Sequence, residues 1–247
     1  SGVFVSTQGK TESETNTNVW LSFSGRSYFD GYEGYSADLA AGVDWLVGGS
    51  TVVGLMIGAG ETDLEDSVFS DAKTNSYLIG AYAAHGFASG VQLDGYIAHS
   101  AVDYEVGATE FDTTRTLAGL AVSGEVAVST GVLLPRLRVS GSWEDFPAGV
   151  GGVTGGTTEQ YTGSLGARHE WNTTVLSSGL TPWASLDIEY GYQENTSGAS
   201  DDFVAPRIGL GLYGAVGKGV LSTSVDVGRV RSDVYDVGFE VSYRYSF

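Results

Sequence analysis

The sequence predicts an all-β protein, a transmembrane antiparallel up-and-down β-barrel of about twelve strands. Three observations predict it. Apolar and polar residues alternate with a period of two along most of the chain, and the alternating segments run for a dozen residues or more. Only 17% of the 247 residues are charged, and the mean hydropathy is +0.00. Soluble domains are about a quarter charged, and their strands average about 5–6 residues.

The last segment shows the alternation most clearly. Side chains of a strand point to opposite faces in turn, so one face of this strand is apolar and the other is polar. The apolar face carries Val237, Phe239, Val241, Tyr243, Tyr245 and Phe247, and the polar or small face carries Gly238, Glu240, Ser242, Arg244 and Ser246.

Twelve segments follow this pattern. Their approximate spans are 19–30, 33–47, 51–62, 73–87, 90–104, 113–128, 131–144, 158–171, 179–193, 203–217, 219–231 and 235–247. A membrane-spanning strand needs about 9–11 residues, and barrel strands often extend further. The register of 73–87 stays open, since Tyr77 and Ile79 compete with Leu78 and Tyr82 for the apolar face.

The connections between segments alternate in character. One set is short and rich in glycine, at 47–50, 88–90, 129–131 and 217–219, although the connection at 172–178 is longer. The other set is often longer and acidic, at 61–72, 103–112, 144–158 and 194–202, with short members at 30–34 and 231–233. Outer-membrane barrels have short periplasmic turns and longer outer loops. We therefore expect a bacterial outer-membrane location, with both termini periplasmic and the longer acidic loops extracellular.

Composition excludes several classes of function. The chain has no Cys, so it forms no disulfide, thiolate metal site or cysteine nucleophile. Its net charge of −18 opposes nucleic-acid binding, which needs clustered Lys and Arg. No apolar stretch is long enough for a transmembrane helix. No signal peptide is visible at Ser1, so an exported chain would be a mature form or an excised domain.

Two regions are predicted. Residues 1–18 are polar and unpatterned and are interpreted as a linker or leader, and residues 19–247 form the barrel domain.

The chain resembles the C-terminal translocator domain of type V autotransporters over about residues 19–247. The resemblance is carried by the segments 18–25 (NVWLSFSG), 41–45 (AGVDW), 53–58 (VGLMIG), 76–82 (SYLIGAY) and 238–247 (GFEVSYRYSF). It implies a twelve-stranded barrel in the outer membrane of a Gram-negative bacterium. It also implies a hydrated barrel that anchors an N-terminal passenger and helps to export it.

The resemblance also implies partners. Tyr243, Tyr245 and Phe247 at the end of the chain are similar to the signal that the barrel-assembly machinery reads in such proteins. The other partners implied are outer-membrane lipid, lipopolysaccharide and the protein's own passenger segment. Family members usually carry a pore-plugging helix before the first strand, and residues 1–18 show no helical pattern. Asn16 and Asn18, separated by Thr17, stand in a non-helical context, so the passenger cleavage of some family members is not carried over.

The polar faces supply the candidate site, a lining of the pore with mixed charge. The predicted pore-lining residues are Arg26, Asp38, Asp44, Glu125, Arg136, Arg138, Arg168, Asp187, Glu189, Arg207, Asp226, Glu240 and Arg244. Mixed signs favour ion pairs across a watery interior, and a solvated lining that stabilises the barrel is the simplest interpretation. We hypothesise that Arg136 and Arg138 form a basic stripe that faces acidic neighbours.

Tyr and Trp concentrate near the predicted strand ends. Rings with a polar tip suit the membrane interface, but strand propensity alone also favours them, so each remains undecided between interface and lumen. They are Trp20, Tyr28, Tyr32, Tyr35, Trp45, Trp143, Tyr161, Trp171, Trp183, Tyr235, Tyr243 and Tyr245.

Catalytic and metal sites find little support, and we predict no enzyme, cofactor or metal. His99 and Ser100 are adjacent in one strand, so they point to opposite faces and form no local nucleophile–base pair. His85 and His169 are interpreted as interfacial or solvated. The acidic stretches 61–66 and 201–202 lack EF-hand spacing, and the glycine-rich 151–156 lacks the Lys and helix of a phosphate loop.

Other functions stay open at this point. A passenger-free outer-membrane pore or a barrel that binds through its surface loops fits the same pattern. So does an outer-membrane hydrolase or adhesin that uses the outer loops. A soluble β-sandwich is the alternative fold.

Overall fold

A computed structural model describes residues 17–65, 71–150, 155–175 and 179–247. Residues 1–16 of the predicted leader 1–18 therefore lie outside the described residues. The first strand begins at Thr17, two residues before the predicted boundary of the barrel.

Thirteen strands account for nearly all of the described chain. They are β1 (Thr17–Asp30), β2 (Glu33–Val47), β3 (Thr51–Glu65), β4 (Ala72–Gly86), β5 (Gln92–Val106), β6 (Thr109–Ser123), β7 (Val126–Val128), β8 (Gly131–Phe146), β9 (Gly156–Trp171), β10 (Thr181–Glu194), β11 (Ser200–Val216), β12 (Gly219–Arg231) and β13 (Val234–Ser246). No helix in this part of the chain is long and apolar enough to cross a membrane.

The strands form one closed antiparallel sheet. Each long strand pairs with its sequence neighbours, β6 pairs with β8, and β1 pairs with β13 over thirteen residue pairs from Asn18↔Ser246 to Asp30↔Val234. The result is a barrel of twelve strands with one short additional piece, β7. The predicted all-β, antiparallel barrel of about twelve strands is confirmed. A closed barrel leaves no sheet edge whose backbone groups would lack partners in lipid.

The short piece β7 continues β6 after an interruption caused by a proline. The pairs Ser123↔Arg136 and Val126↔Leu133 flank the gap in the same register. Between them, the Gly124 amide donates to the Pro135 carbonyl at 3.0 Å. Pro135 has no N–H to return that bond, so the ladder breaks there. The predicted segment 113–128 is therefore one interrupted strand that begins four residues earlier, at Thr109.

The apolar face of the sheet points outward. Alternate residues such as Ile57, Val204 and Ile208 are 62%, 66% and 51% exposed, although each is large and apolar. In a soluble protein such residues would be covered by a second layer, and here the hydrocarbon of the membrane takes that place. The register of β4 is also settled, because Tyr77 and Ile79 are exposed while Tyr82 is buried.

Several predicted loops are strand instead. The predicted connection 103–112 is wrong, because β5 runs to Val106 and β6 starts at Thr109. Likewise β3 continues to Glu65, and β9 begins at Gly156. Gly156 is the last residue of the predicted glycine-rich loop 151–156, and residues 151–154 of that loop lie outside the described residues. The polar residues in these stretches lie beyond the apolar belt of the barrel. The strands nevertheless continue past the belt, because neighbouring strands still pair through backbone hydrogen bonds in water.

Charge separates the two ends of the barrel. We call the end that carries Thr17 and Phe247 the terminal end and the other the loop end. The turns at the terminal end contain no Asp or Glu, and Glu125, in the interruption between β6 and β7, is an acidic residue close to them. Outward positions near the loop end carry Asp63, Asp103, Glu105, Glu110, Asp112, Asp145 and Glu159, and Lys73 is a basic residue among them.

We expect a charge in the middle of the outward face to destabilise the barrel. Ile208 is the midpoint of β11, and Ile208→Lys should lower the unfolding free energy by about 2–4 kcal/mol, because an ammonium group is poorly solvated by hydrocarbon. Urea titration in lipid vesicles measures this, and Ile208→Ala controls for the lost apolar area. Equal losses in the two variants would contradict a lipid-facing position.

The barrel lumen as the candidate functional site

The inner wall of the barrel has two unlike halves. Inward residues of β1 to β6 form an apolar wall whose buried members are Trp20, Ala40, Met56, Tyr82, Ala98 and Leu117. Val52, Leu78 and Tyr96 pack against this group. Alternation alone assigned apolar residues to the lipid face, so an apolar inner wall was not predicted.

A buried carboxylate anchors the apolar wall near the terminal end. Asp44 is 0% exposed. Its oxygens accept hydrogen bonds from Tyr82 Oη at 2.8 Å and from Asn18 Nδ2 at 2.7 Å, and they pair with Arg244 Nη2 at 2.5 Å. Trp20 Nε1 donates to the same Tyr82 hydroxyl at 2.5 Å. This network links β1, β2, β4 and β13 across the first and last strands, so it stabilises closure.

Glycine makes room for these large rings. A Cβ atom on Gly42 would lie 2.5 Å from the Trp20 indole, and one on Gly54 would lie 2.6 Å from the Tyr82 hydroxyl. Rings that lie flat over glycine cover backbone that would otherwise stay exposed. Close packing on the inner face therefore explains part of the chain's 37 glycines.

The other half is an ionic wall on β8 to β13 and β1. We use this name for four arginines and four carboxylates, which are Arg26, Arg136, Arg138, Arg207, Asp187, Glu189, Asp226 and Asp236. Arg207 lies at its centre, with Nε 2.7 Å from Glu189 and Nη1 2.8 Å from Asp236, and it also pairs with Asp226. Arg26 approaches from β1, 3.1 Å from Asp226, and also pairs with Asp236.

Asp187 is the shared partner of the two arginines on β8. Arg136 binds it through two contacts, at 2.9 and 2.5 Å, and Arg138 reaches it at 3.4 Å. Arg138 also donates to Ser164 Oγ at 3.1 Å. Two guanidinium groups thus share this buried carboxylate, so its loss would remove negative charge that both arginines contact in the interior.

Several of these ion pairs skip a strand, and glycine fills the gap. Gly238 stands between Arg26 and Asp226, and Gly166 stands between Arg136 and Asp187. A Cβ atom on Gly238 would lie 2.6 Å from the Arg26 guanidinium. The short inward face at glycine thus lets an arginine side chain cross a neighbouring strand.

The ionic wall is balanced, since its four positive charges meet four negative ones. The chain's net charge of −18 therefore arises elsewhere, mostly at the loop end. A balanced wall presents many hydrogen-bonding groups but little net field, so it holds neither cations nor anions strongly.

Further ion pairs line the lumen near each of its two ends. Near the loop end, Glu144 accepts from Arg115 Nε at 2.8 Å, Tyr104 Oη at 2.9 Å and Thr113 Oγ1 at 2.5 Å. Near the terminal end, Arg168 Nη2 lies 2.7 Å from Glu170.

The remaining predicted lining residues lie at scattered positions. Asp38 lies on the inward face of β2 opposite Ser24, and Glu240 accepts from Ser22 Oγ at 3.1 Å. Glu125 falls in the interruption between β6 and β7 and is exposed. Asp236, fully buried on β13, escaped the sequence analysis. The polar face of the last segment was assigned from Gly238 onward, and the preceding position on the same face, two residues earlier, is Asp236.

The aromatic residues divide between the two faces. Trp20, Tyr28 and Trp183 point inward, whereas Tyr35, Trp45, Trp143, Tyr161, Trp171, Tyr235, Tyr243 and Tyr245 lie on the outward face. Tyr32 lies in the β1–β2 turn, where burial raises the pKa of its phenol to about 12. It therefore remains a neutral hydrogen-bonding group at physiological pH.

The histidines do not assemble a catalytic group among the described residues. His99 is on the outward face of β5, with Nδ1 3.3 Å from Thr116 Oγ1, while the neighbouring Ser100 is buried on the inward face. His85 contacts Thr51 and His169 contacts Thr130, each through a hydroxyl. In this part of the chain no group of three or more His, Asp or Glu side chains is arranged to hold a metal ion.

The predicted assembly signal lies at the seam of the barrel. Tyr243 donates to the Val216 carbonyl at 3.0 Å, and the rings of Tyr245 and Phe247 lie 5.0 Å apart. Phe247 is 58% exposed, and its amide donates to the Thr17 carbonyl at 3.3 Å. These three residues therefore sit where the last strand meets the first.

Comparison with known proteins decides the family. The family model described as the autotransporter beta-domain matches residues 17–206. The chain belongs to the autotransporter beta-domain family. The resemblance on which the sequence analysis relied is confirmed, and this autotransporter β-domain is accordingly an outer-membrane barrel.

Solved structures of similar barrels agree. The beta domain of the Bordetella autotransporter BrkA has a TM-score of 0.77 and 18% identity, over 94% of this chain and 100% of that one. The translocator domain of NalP from Neisseria meningitidis has a TM-score of 0.72 and 16% identity, over 96% and 90%. The transport unit of AIDA-I from Escherichia coli has a TM-score of 0.66 and 11% identity, over 99% and 93%. Comparison with curated proteins gives no match.

We expect Asp187 to be the most sensitive member of the ionic wall of this β-domain. Asp187→Asn should lower the unfolding free energy by on the order of 3 kcal/mol, because Arg136 and Arg138 lose the charge that compensates them in the interior. Urea titration in lipid vesicles measures this. Lys73→Met is the control, since Lys73 pairs with Asp63 at 3.3 Å in an exposed position and its loss should be hardly measurable. Equal effects of the two substitutions would contradict the role of Asp187.

Proposed function

We propose that this autotransporter β-domain translocates an N-terminal passenger across the outer membrane and then anchors it there. The observation that carries the proposal is the closure of the barrel by β1 against β13. Because β1 begins at Thr17 and forms part of the lumen wall, a chain that precedes Thr17 emerges at the mouth of the lumen. The family match over residues 17–206 supports the same function.

The two halves of the lumen wall suit a passing polypeptide. An extended chain exposes backbone N–H and C=O groups that need partners, and the ionic wall offers guanidinium, carboxylate and hydroxyl groups. Since its charges are already paired, it holds no segment strongly by charge alone. The apolar wall gives side chains of the passing chain a surface without strong hydrogen bonds. The barrel interior therefore favours movement of the passing polypeptide over its retention in the lumen.

The proposal orients the barrel with the terminal end in the periplasm and the loop end outside. Both termini lie at one end, as an even number of antiparallel strands requires. Acidic side chains concentrate at the opposite end, around the level of lipopolysaccharide head groups, while apolar residues face the outer-membrane lipid. We assign no catalytic step to the β-domain, because its charged lumen residues are engaged in wall contacts.

Passenger delivery tests the proposal. A small tagged passenger fused before Ser1 and exported to the periplasm of a Gram-negative host should become accessible to protease added outside intact cells, because it must cross with the segment before Thr17. The tag is quantified by immunoblot. A periplasmic protein with the same tag is the control.

A tag that stays protected, although the barrel is assembled, would contradict translocation. It would favour the alternative of a passenger-free outer-membrane pore. Conductance measurements on the assembled barrel in planar bilayers would then show whether ions pass through the lumen.

We also propose that Tyr243, Tyr245 and Phe247 are read by the barrel-assembly machinery. Removal of Phe247 should reduce the amount of barrel in the outer membrane several-fold in cells, because the exposed terminal ring is lost. Refolding of the purified variant in detergent should change little, since Phe247 is 58% exposed. Gel migration before and after boiling measures both. An equal loss in cells and in detergent would show a structural role instead.

A further inference from the structure

Arg229 is a cation on the outward face of the barrel without a carboxylate partner. Its guanidinium carbon lies 4.2 Å from the ring centre of Tyr235, which points outward from β13, so Arg229 lies on the same face. Among the residues that the structure describes, it forms no ion pair with Asp or Glu. Lys73, another outward cation near the loop end, is by contrast paired with Asp63 at 3.3 Å. Arg229 is therefore available to an anion from outside the chain.

Contacts within the chain hold the Arg229 guanidinium in place. Its Nη1 donates to the Ser232 carbonyl at 3.2 Å, and its Nη2 donates to the Tyr235 hydroxyl. The Tyr235 ring stacks in turn on Phe29, with ring centres 6.0 Å apart and an angle of 11° between the planes. These contacts leave further guanidinium N–H groups free to donate elsewhere. We call Arg229, Tyr235 and Phe29 the arginine–aromatic row, which crosses β12, β13 and β1.

The arginine–aromatic row lies at the margin of the apolar belt. Toward the middle of the barrel, the next outward residues of β12 and β13 are Val227 and Val237, which are 43% and 41% exposed. Toward the loop end, the two strands join in a turn at 232–233. Aromatic rings with a polar tip and arginine side chains are typical of the level where hydrocarbon meets headgroups. A lipid beside the row therefore places its headgroup at Arg229 and its acyl chains on the valines.

The neighbouring strand β11 gives Arg229 an apolar flank. The ladder between β11 and β12 ends at the pair Ile208↔Val227, and Pro206, two residues further toward the loop end, has no N–H to continue it. Arg207 bridges the two strands from the lumen side instead, since its Nη2 donates to the Arg229 carbonyl at 3.1 Å. On the outer surface the side chains next to Arg229 are thus the exposed Pro206 and Ile208, which suit an acyl chain.

Charge around the arginine–aromatic row favours an anion. Along their described lengths, the outward positions of β12, β13 and β1 carry no Asp or Glu, whereas those of β3, β5, β6, β8 and β9 carry several near the loop end. Two acidic residues near the β12–β13 turn are engaged, because Asp233 pairs with Arg231 at 3.0 Å and Asp201 accepts from Ser232 Oγ at 2.7 Å. An arginine matches the geometry of a phosphate, so this sector suits a phosphorylated headgroup.

We propose that the arginine–aromatic row binds the phosphorylated headgroup of lipopolysaccharide, with a phosphate on Arg229 and acyl chains against Val227 and Val237. The inference rests on the proposed orientation of the barrel, in which the loop end meets the leaflet that carries lipopolysaccharide. It gives a lipid that the family resemblance implies only as a partner a defined place on this chain. The bound lipid also spans the seam of the barrel, because Phe29 of β1 and Tyr235 of β13 are paired across it.

Binding of diphosphorylated lipid A, the anchor of lipopolysaccharide, to the full chain refolded in detergent tests the proposal. Native mass spectrometry counts the bound lipid as its concentration is raised. EDTA is present, because it removes the divalent cations that would link surface carboxylates to phosphates. We expect Arg229→Gln to weaken the tightest site on the order of tenfold, the effect of losing a charge-assisted hydrogen bond. Lys73→Gln is the matched control and should bind like the wild type, since Lys73 is already paired with Asp63.

Two further measurements separate the parts of the ligand. Lipid A without its phosphates should bind the wild type as weakly as diphosphorylated lipid A binds Arg229→Gln, because the charged contact is then missing in both. Inorganic phosphate at the same concentration should not displace lipid A, because it gains no contact with the apolar flank. Gel migration before and after boiling shows that each variant is folded.

Equal binding by the wild type and Arg229→Gln, equal losses in Arg229→Gln and Lys73→Gln, phosphate-independent binding or displacement by inorganic phosphate would each overturn the proposal. Surface delivery of a passenger together with such a result leaves translocation standing and removes only the lipid site. Lipid binding that depends on Arg229, without surface delivery, removes translocation while the lipid site remains.

Discussion

Pairing of the first strand with the last is the constraint on which the structure depends. Inside a bilayer no water is available for backbone N–H and C=O groups, so a sheet persists only if it has no edge. Thirteen residue pairs join β1 to β13, and the cluster around Asp44 fastens the same seam from within through Arg244 and Asn18. Closure then fixes the outward apolar face, the enclosed lumen and the position of both termini at one end.

The lumen solves a packing problem that closure creates. Inward side chains meet neither lipid nor a second sheet, so they must satisfy one another across the strands. One half does this by laying rings such as Trp20 over glycine, and the other by ion pairs that cross glycine positions such as Gly238. Since the arginines there are matched by carboxylates, the wall is polar without being strongly charged. Translocation of a polypeptide and a stable barrel are compatible for this reason.

Alternation of residue types predicted the strand number, the closed barrel and the outward face because period two reports directly on what each face contacts. It placed Asp187, Arg136 and Arg138 on one face, but their shared contact depends on which strands are neighbours around the barrel. It missed Asp236, although the predicted segment 235–247 contains that residue, and it mistook polar strand ends such as 105–106 for loop. Apolar inward residues such as Met56 were unpredictable from pattern alone, because an apolar side chain suits lipid and a packed lumen equally well.

The most direct test of the account labels single cysteines along β13 with an environment-sensitive fluorophore in lipid vesicles. The chain offers no competing thiol. We predict that labels at Phe239→Cys and Val241→Cys are quenched by a lipid-soluble quencher, and that labels at Glu240→Cys and Ser242→Cys are not. Equal quenching at all four positions, or the opposite alternation, would contradict a closed barrel with its apolar face in the membrane.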